Sequence, residues 1–398
     1  MRDDIAASYR HRYTREADNV GHMATSGDAI IDPALLEFED DGGFFDLLAD
    51  QPFSLAVTRE YEHLLLLLDG SPRGPIVAAF PVPHPSGLCF DGSTRELVVS
   101  STRTPNFLLS MSPYRPTPES RFMLPEGFDH ADAEEGVLFL PRRARFLPGS
   151  LYIHDVVKLG GEIFATITGH NFLAKLDFET GWERVWWPAA IDGLGTSGFG
   201  ANYLQLNSMA AGETPSHSFY TGFSALVSDV KPWKEGYGPL EKGVVFSGRT
   251  RQPILGGLTC PHSAKLFDGR LWLCNSGFGT FGYVDGFADL DPTATRYIPV
   301  GTAPGFTRGM AFGGDYVFVG LSRVIKSYEA YAPGLDAPTS KCGIWAFNRH
   351  DGKFVASLSW PNGYQIYDVQ TLPDVKNPRL PLAPARTDGV NHLLRYLG

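Results

Sequence analysis

The feature that most limits what this chain can fold into is a hairpin that recurs along it. "HPSGLCFDGSTRELVVSST" from His84, "IHDVVKLGGEIFATITG" from Ile153, "HSAKLFDGRLWLCNSG" from His262 and "FTRGMAFGGDYVFVGLS" from Phe306 read alike. Each is an apolar run, an Asp-Gly or Gly-Gly turn, and a second run that ends at Ser, Thr or Gly. Such turns between alternating runs are strong hairpin signals, because Gly and Asp reach the positive φ that tight hairpin turns need. "QLNSMAAGETPSHSFYTGFS" from Gln205 repeats the shape around a longer turn, and third strands follow in places, as in "NFLAKLDFETG" and "TFGYVDG".

Units of roughly 45–70 residues, each a small antiparallel sheet, predict an all-β fold, a β-propeller. Five strand entrances are visible, and a sixth, "YQIYDVQTLP" from Tyr364, follows from the spacing. The early strands in "FSLAVTREYEHLLLLLDG" are expected to close the ring as outer strands. The expectation is therefore a six-bladed propeller over residues 46–398, with five or seven blades, or a pair of β-sandwiches, as alternatives. Residues 1–45 read as an irregular N-terminal arm, with one or two short helices in "DPALLEFEDDGGFFDLLAD".

Composition agrees where it bears on the question. The chain of 398 residues holds 44 Gly and 30 Pro, which suits many short strands and turns. Its net charge of −10 argues against nucleic acid or an anionic membrane surface as partner. No apolar run approaches the ~18 residues of a membrane span. The charged start "MRDDIAASYRHRYTREADN" lacks the apolar core of a signal peptide, so a cytoplasmic location is expected. The cysteines at 89, 260, 274 and 342 show no CxxC spacing and read as buried free thiols.

In a propeller the innermost strand of each blade begins near the central axis, so residues at its start converge. The entrances carry His84, then His154 with Asp155, Gln205 with Asn207, His262, Arg308, and Asp368 with Gln365. Three imidazoles at one axis can hold a divalent ion and leave positions open for water or substrate. His84, His154 and His262 are thus the predicted ligands of one divalent metal, with Fe, Mn, Zn, Cu, Ni and Ca not distinguished. Asp155 or Asp368 would transfer protons, and the planar cation of Arg308 would anchor a carboxylate or phosphate. Gln205, Asn207 and His217 would complete the walls. His170 reads as structural, "STRTPNF" and "NSGFGT" as turns, and Trp182, Trp186 and Trp187 as packing between blades. GxSxG, P-loop and HExxH motifs are missing, which disfavours serine hydrolases, nucleotide enzymes and zincins.

Several of these segments form an ordered series. "HPSGL", "PHS", "GFTRGMAF", "VGLS", "CGIW" and "DVQTLP", with "SLAVTREYEHLLLL", "IHDVV" and "LNSMA", resemble the motifs of an uncharacterised bacterial β-propeller-like family. The resemblance covers roughly residues 50–380. Members often carry His where this chain has Gln205, so no fourth imidazole is implied. A looser similarity is to six-bladed propellers of the gluconolactonase and strictosidine-synthase type, which use an axial divalent metal or an axial acid. The resulting expectation is a metal-dependent enzyme acting on a small molecule or peptide, with lyase, hydrolase, isomerase or oxygenase chemistry, in specialised metabolism. The alternative is a non-catalytic propeller that binds a glycan or protein.

Overall fold

The computed structural model describes residues 31–380 except 104–105, 115–135, 229, 231 and 233–235. Most of the predicted arm, residues 1–30, and the end of the predicted propeller, residues 381–398, lie outside the described residues. Among the described residues there are six sheets, four of four strands and two of five, antiparallel throughout except where Pro378–Arg379 pairs in parallel with Val137–Leu147. Their first strands are Asp368–Pro373, Pro85–Asp91, Ile153–Leu159, Ser208–Ala210, Pro261–Phe267 and Phe306–Gly313. Each is the inner edge of its sheet and packs against the first strand of the blade on either side. The fold is a six-bladed β-propeller.

The first blade closes the ring. Asp368–Pro373, from late in the chain, pairs with Phe53–Arg59 in the register Thr58↔Asp368 to Phe53↔Pro373. Beyond it lie Leu64–Ser71 and Gly74–Pro81. The run of leucines is apolar throughout because both faces of the blade are covered. Leu64, Leu66 and Leu68 join the core shared with the sixth blade, whereas Leu65 and Leu67 join the core shared with the second. A period of two along one strand therefore fills two cores.

The short helix Phe44–Ala49 buries Phe44, Phe45 and Leu48 in the same core, and Glu39–Asp41 adds a strand to the sixth blade. All four cysteines are buried and free. No helix of the described residues is long and apolar enough to cross a membrane.

A tetrad repeats at the start of the six inner strands: Pro85-Ser86-Gly87-Leu88, Ile153-His154-Asp155-Val156, Leu206-Asn207-Ser208-Met209, Pro261-His262-Ser263-Ala264, Thr307-Arg308-Gly309-Met310 and Ile366-Tyr367-Asp368-Val369. Its third residue ties each blade to the next. Asp368 Oδ2 accepts the Leu88 N–H at 2.9 Å, Asp155 Oδ2 the Met209 N–H at 2.9 Å, and Ser208 Oγ the Ala264 N–H at 3.0 Å. Ser263 Oγ accepts the Gly309 N–H at 2.8 Å. Where glycine holds the third place, the neighbouring backbone comes closer still. A Cβ on Gly87 would lie 2.5 Å from Val156 N, and one on Gly309 2.8 Å from Val369 N. The tetrad is a ring of inter-blade joints, and its second residue sets what stands at the entrance.

Candidate active site on the axis

Four of the second-position residues, His154, His262, Arg308 and Tyr367, line one cavity of about 540 Å³ at the entrance end of the axis. The Arg308 guanidinium lies 3.4 Å from the centroid of the Tyr367 ring, a cation–π contact that fixes its plane. Its Nη2 donates to His154 Nδ1 at 3.2 Å, which leaves the ring proton of His154 on Nε2. With the Gln365 amide oriented to satisfy its neighbours, Arg308 Nη1 donates to its oxygen at 3.1 Å, and its nitrogen donates to Glu60 Oε2 at 2.6 Å. Among the described residues no carboxylate comes within ion-pair distance of Arg308, although the residue is only 8 % exposed. It is a buried cation whose partners are all neutral.

The two imidazoles are neutral as well. Burial and the charge of Arg308 hold His154 well below its ordinary value, with His262 and Arg103 adding to the effect. Burial and Arg308 do the same to His262, against the opposing pull of the Cys260 carbonyl. His262 Nδ1 faces that carbonyl at 2.9 Å and Ser276 Oγ at 3.0 Å. Ser276 spends its proton on Thr307 O, so the Nδ1–H of His262 is the donor and Nε2 is the ring's acceptor. Phe223 and Phe306 meet the ring edge-on, at centroid distances of 5.2 and 5.4 Å. His154 and His262 lie near-parallel with centroids 6.3 Å apart, and Gln205 Nε2 is 3.4 Å from His154 Nε2.

Among the described residues Glu60 is the one carboxylate in the lining. Its Oε1 accepts from His84 Nδ1 at 2.9 Å, Thr102 Oγ1 at 3.1 Å and Arg103 Nε at 3.1 Å. Burial alone would raise its pKa. The His84 hydrogen bond and the charges of Arg103, His84 and Arg308 outweigh burial and bring it to about 2.

The chain matches the family described as "Domain of unknown function (DUF4915)" over residues 42–380. It belongs to that family. No curated protein matches this DUF4915 chain. Its structure is similar to a chain of the nidogen/laminin complex, at 9% identity and a TM-score of 0.51, covering 81% of this chain and 100% of that one. It is also similar to a gluconolactonase of Xanthomonas campestris (14% identity, TM-score 0.43, 78% and 86% covered). A third likeness is to a calcium-binding protein, regucalcin, of Agrobacterium tumefaciens (10%, 0.42, 69% and 73%). These are likenesses of fold.

The DUF4915 site differs from the expected three-histidine centre. His84 does not line the cavity. It stands three residues before the joint of its blade, in a left-handed slot it shares with Tyr152, Gln205 and Cys260, whose φ values are 45°, 52°, 49° and 51° in that order. Ser86 takes the second position there, spent on Ser100 Oγ at 2.9 Å. The two histidines that do meet stand beside a guanidinium bonded to one of them, a poor place for a divalent cation. Among the described residues no group of three or more His, Cys, Asp or Glu is assembled to hold a metal ion. The residues present do not fit a metal of that kind.

Other expected site residues serve elsewhere. Asp155 and Asp368 do not line the cavity, because their carboxylates are the inter-blade joints. Burial raises both, opposed by the Lys265 ammonium, with Asp155 brought to about 6. Asn207 braces Pro261 O at 2.9 Å and Thr221 Oγ1 at 2.6 Å. His217 is exposed on the turn that joins the first two strands of its blade, at the opposite end from the entrance, and holds Thr214 Oγ1 at 2.8 Å. Conversely, His170, read as structural, lines the cavity with Nδ1 2.7 Å from Phe199 O, and Arg103 of "STRTPNF" lines it too. Tyr367 could have been found, since "IYDV" repeats "IHDV" residue for residue apart from the ring. Glu60, after a plain apolar strand, had no such signal.

Proposed function

We propose that the axial cavity binds a small organic anion through Arg308, and that His262 Nε2 takes a proton from the bound molecule without a metal. The observation that carries this reading is a buried guanidinium whose partners are an amide, an imidazole and an aromatic face. Such a cation favours a carboxylate or phosphate that completes its fork. The aromatic walls fit an apolar body, and a neutral imidazole with its other nitrogen fixed to a backbone carbonyl is an oriented base. Proton abstraction beside a carboxylate, with Arg308 stabilising the charge that develops, is a step shared by lyases and isomerases.

Phenylacetate and its uncharged isostere phenylacetamide test the reading. Calorimetry should show binding of phenylacetate alone, lost in Arg308→Gln and weakened in Arg308→Lys, which keeps the charge but not the fork. Equal binding of acid and amide would reject the anion site. In D2O, exchange of the α-protons of phenylacetate should be seen by mass spectrometry and should stop in His262→Gln. Binding with no exchange would leave a binding propeller instead of an enzyme.

A further inference from the structure

The cavity is electropositive in an acidic protein. Among the described residues its lining holds three guanidiniums, Arg103, Arg308 and Arg323, against the single carboxylate of Glu60, in a chain of net charge −10. Glu60 is occupied by Arg103, at 3.1 Å. Two cations remain without an acidic partner among the described residues. One is Arg308 in the cavity. The other is Arg323, which donates from Nη2 to Pro361 O at 2.9 Å. Its Nε is buried without a hydrogen-bond partner, and its guanidinium lies 5.9 Å from the Tyr364 ring centroid.

Both cations belong to the sixth blade, and the pairing of its strands orders them along the cavity. Phe306, two residues before Arg308, pairs with Ser322, immediately before Arg323. The backbone of Arg308 lies against Gly320, where a Cβ would stand 2.2 Å from Arg308 O. Arg323 comes three residues later, just past the end of that second strand at Ser322, which sets its backbone about 10 Å from Gly320 at ~3.3 Å per residue. The same lining carries Phe306, and Tyr364 beside Arg323, whose N–H donates to the Tyr364 carbonyl at 2.8 Å.

We infer that the physiological ligand is a dianion, with one anionic group on Arg308 and a second, separated by an apolar body, on Arg323. This rests on the Arg308 reading and adds to it the second anchor and the charge of the ligand class. Two cations that line one cavity with no acid between them repel each other, and a ligand that carries an anion to each relieves that repulsion. A ligand with one charge satisfies only the first.

The probes are the α,ω-dicarboxylates from succinate to sebacate, each compared by calorimetry with the straight-chain monocarboxylate of equal length. In the wild type, one or two adjacent dicarboxylates should bind roughly tenfold to a hundredfold tighter than their monocarboxylates. Arg323→Gln should bring those dicarboxylates down to the affinity of the monocarboxylates. Equal affinity of mono- and dicarboxylates at every length in the wild type would overturn the dianion, while loss of monocarboxylate binding in Arg308→Gln would still support the first anchor. A length preference that persists in Arg323→Gln would overturn Arg323 as the second anchor. A wild type that binds none of the acids would overturn the Arg308 reading and this inference together.

Discussion

A neutral imidazole beside a guanidinium is a base held in check, and His262 is in that position. Burial and Arg308 both disfavour its protonation. An anion seated on Arg308 cancels the second of these, so proton affinity at His262, and at His154 beside it, rises on binding. The ligand thereby strengthens the base that acts on it. Phenylacetate binding should therefore take up protons at pH values below the ordinary histidine value of about 6.5, since burial still holds the imidazole beneath it. The enthalpy of binding is then expected to vary with the ionisation enthalpy of the buffer. His262→Gln should reduce that dependence and leave only the His154 share. An enthalpy independent of buffer in the wild type would show that the anion and the imidazoles are not coupled.

At the scale of the strand, the repeated tetrad separates two tasks that adjacent residues perform. Its third residue joins blades and, in four of the six, its second lines the axial cavity, which is why replacing an acid at the third place tests stability and not chemistry. Asp155 is ionised at neutral pH against the cost of burial and the charge of Asp368, with Lys265 as the opposing cation. Two carboxylates share one ammonium. Because its folded pKa, about 6, lies above the ordinary aspartate value, the ionised group lowers stability above that pH. The penalty is relieved as pH falls from 6 towards the ordinary value of about 3.9. Asp155→Asn keeps an oxygen for the Met209 N–H and removes the charge. Thermal melts should show the variant more stable than wild type at neutral pH, by on the order of 1–3 kcal/mol, with the gap closing by about pH 4.5. A variant less stable at neutral pH would show that the Lys265 pairing outweighs burial.

For the whole molecule, the decisive joint is the one between chain ends. The strand Asp368–Pro373 supplies the inner edge of a blade whose other strands lie at residues 53–81. Residues beyond Pro361 also bring Ile366, Val369, Leu372, Val375 and Leu380 into the cores on either side of that blade. Each such side chain is worth about 1.5–3 kcal/mol when buried. Their sum is comparable with the ~5–15 kcal/mol by which whole domains are stable. A chain ending at Pro361 should therefore lack a cooperative thermal transition and elute as aggregate, its Phe53–Arg59 edge left open to other chains. A cooperative, monomeric melt from that truncation would mean that five blades stand without closure.

Strands, turns and the number of blades were legible in the amino-acid order, because alternation and Gly-rich turns act between residues a few places apart. So were His154, His262, Arg308 and Gln205 as entrance residues. Counting back from the turn failed at His84, since the inner strands are irregular between Pro85 and Leu88, between His262 and Lys265 and between Thr307 and Met310. An irregularity of one residue changes which side chain faces the axis, and no local pattern announces it. Only the closed ring could bring Glu60 within 2.6 Å of the Gln365 amide and Arg308 within 3.2 Å of His154. Those contacts span the chain. The same closure left Arg308 without an acid among the described residues and made joints of Asp155 and Asp368, because hydrogen bonds between blades depend on which backbone arrives beside a side chain.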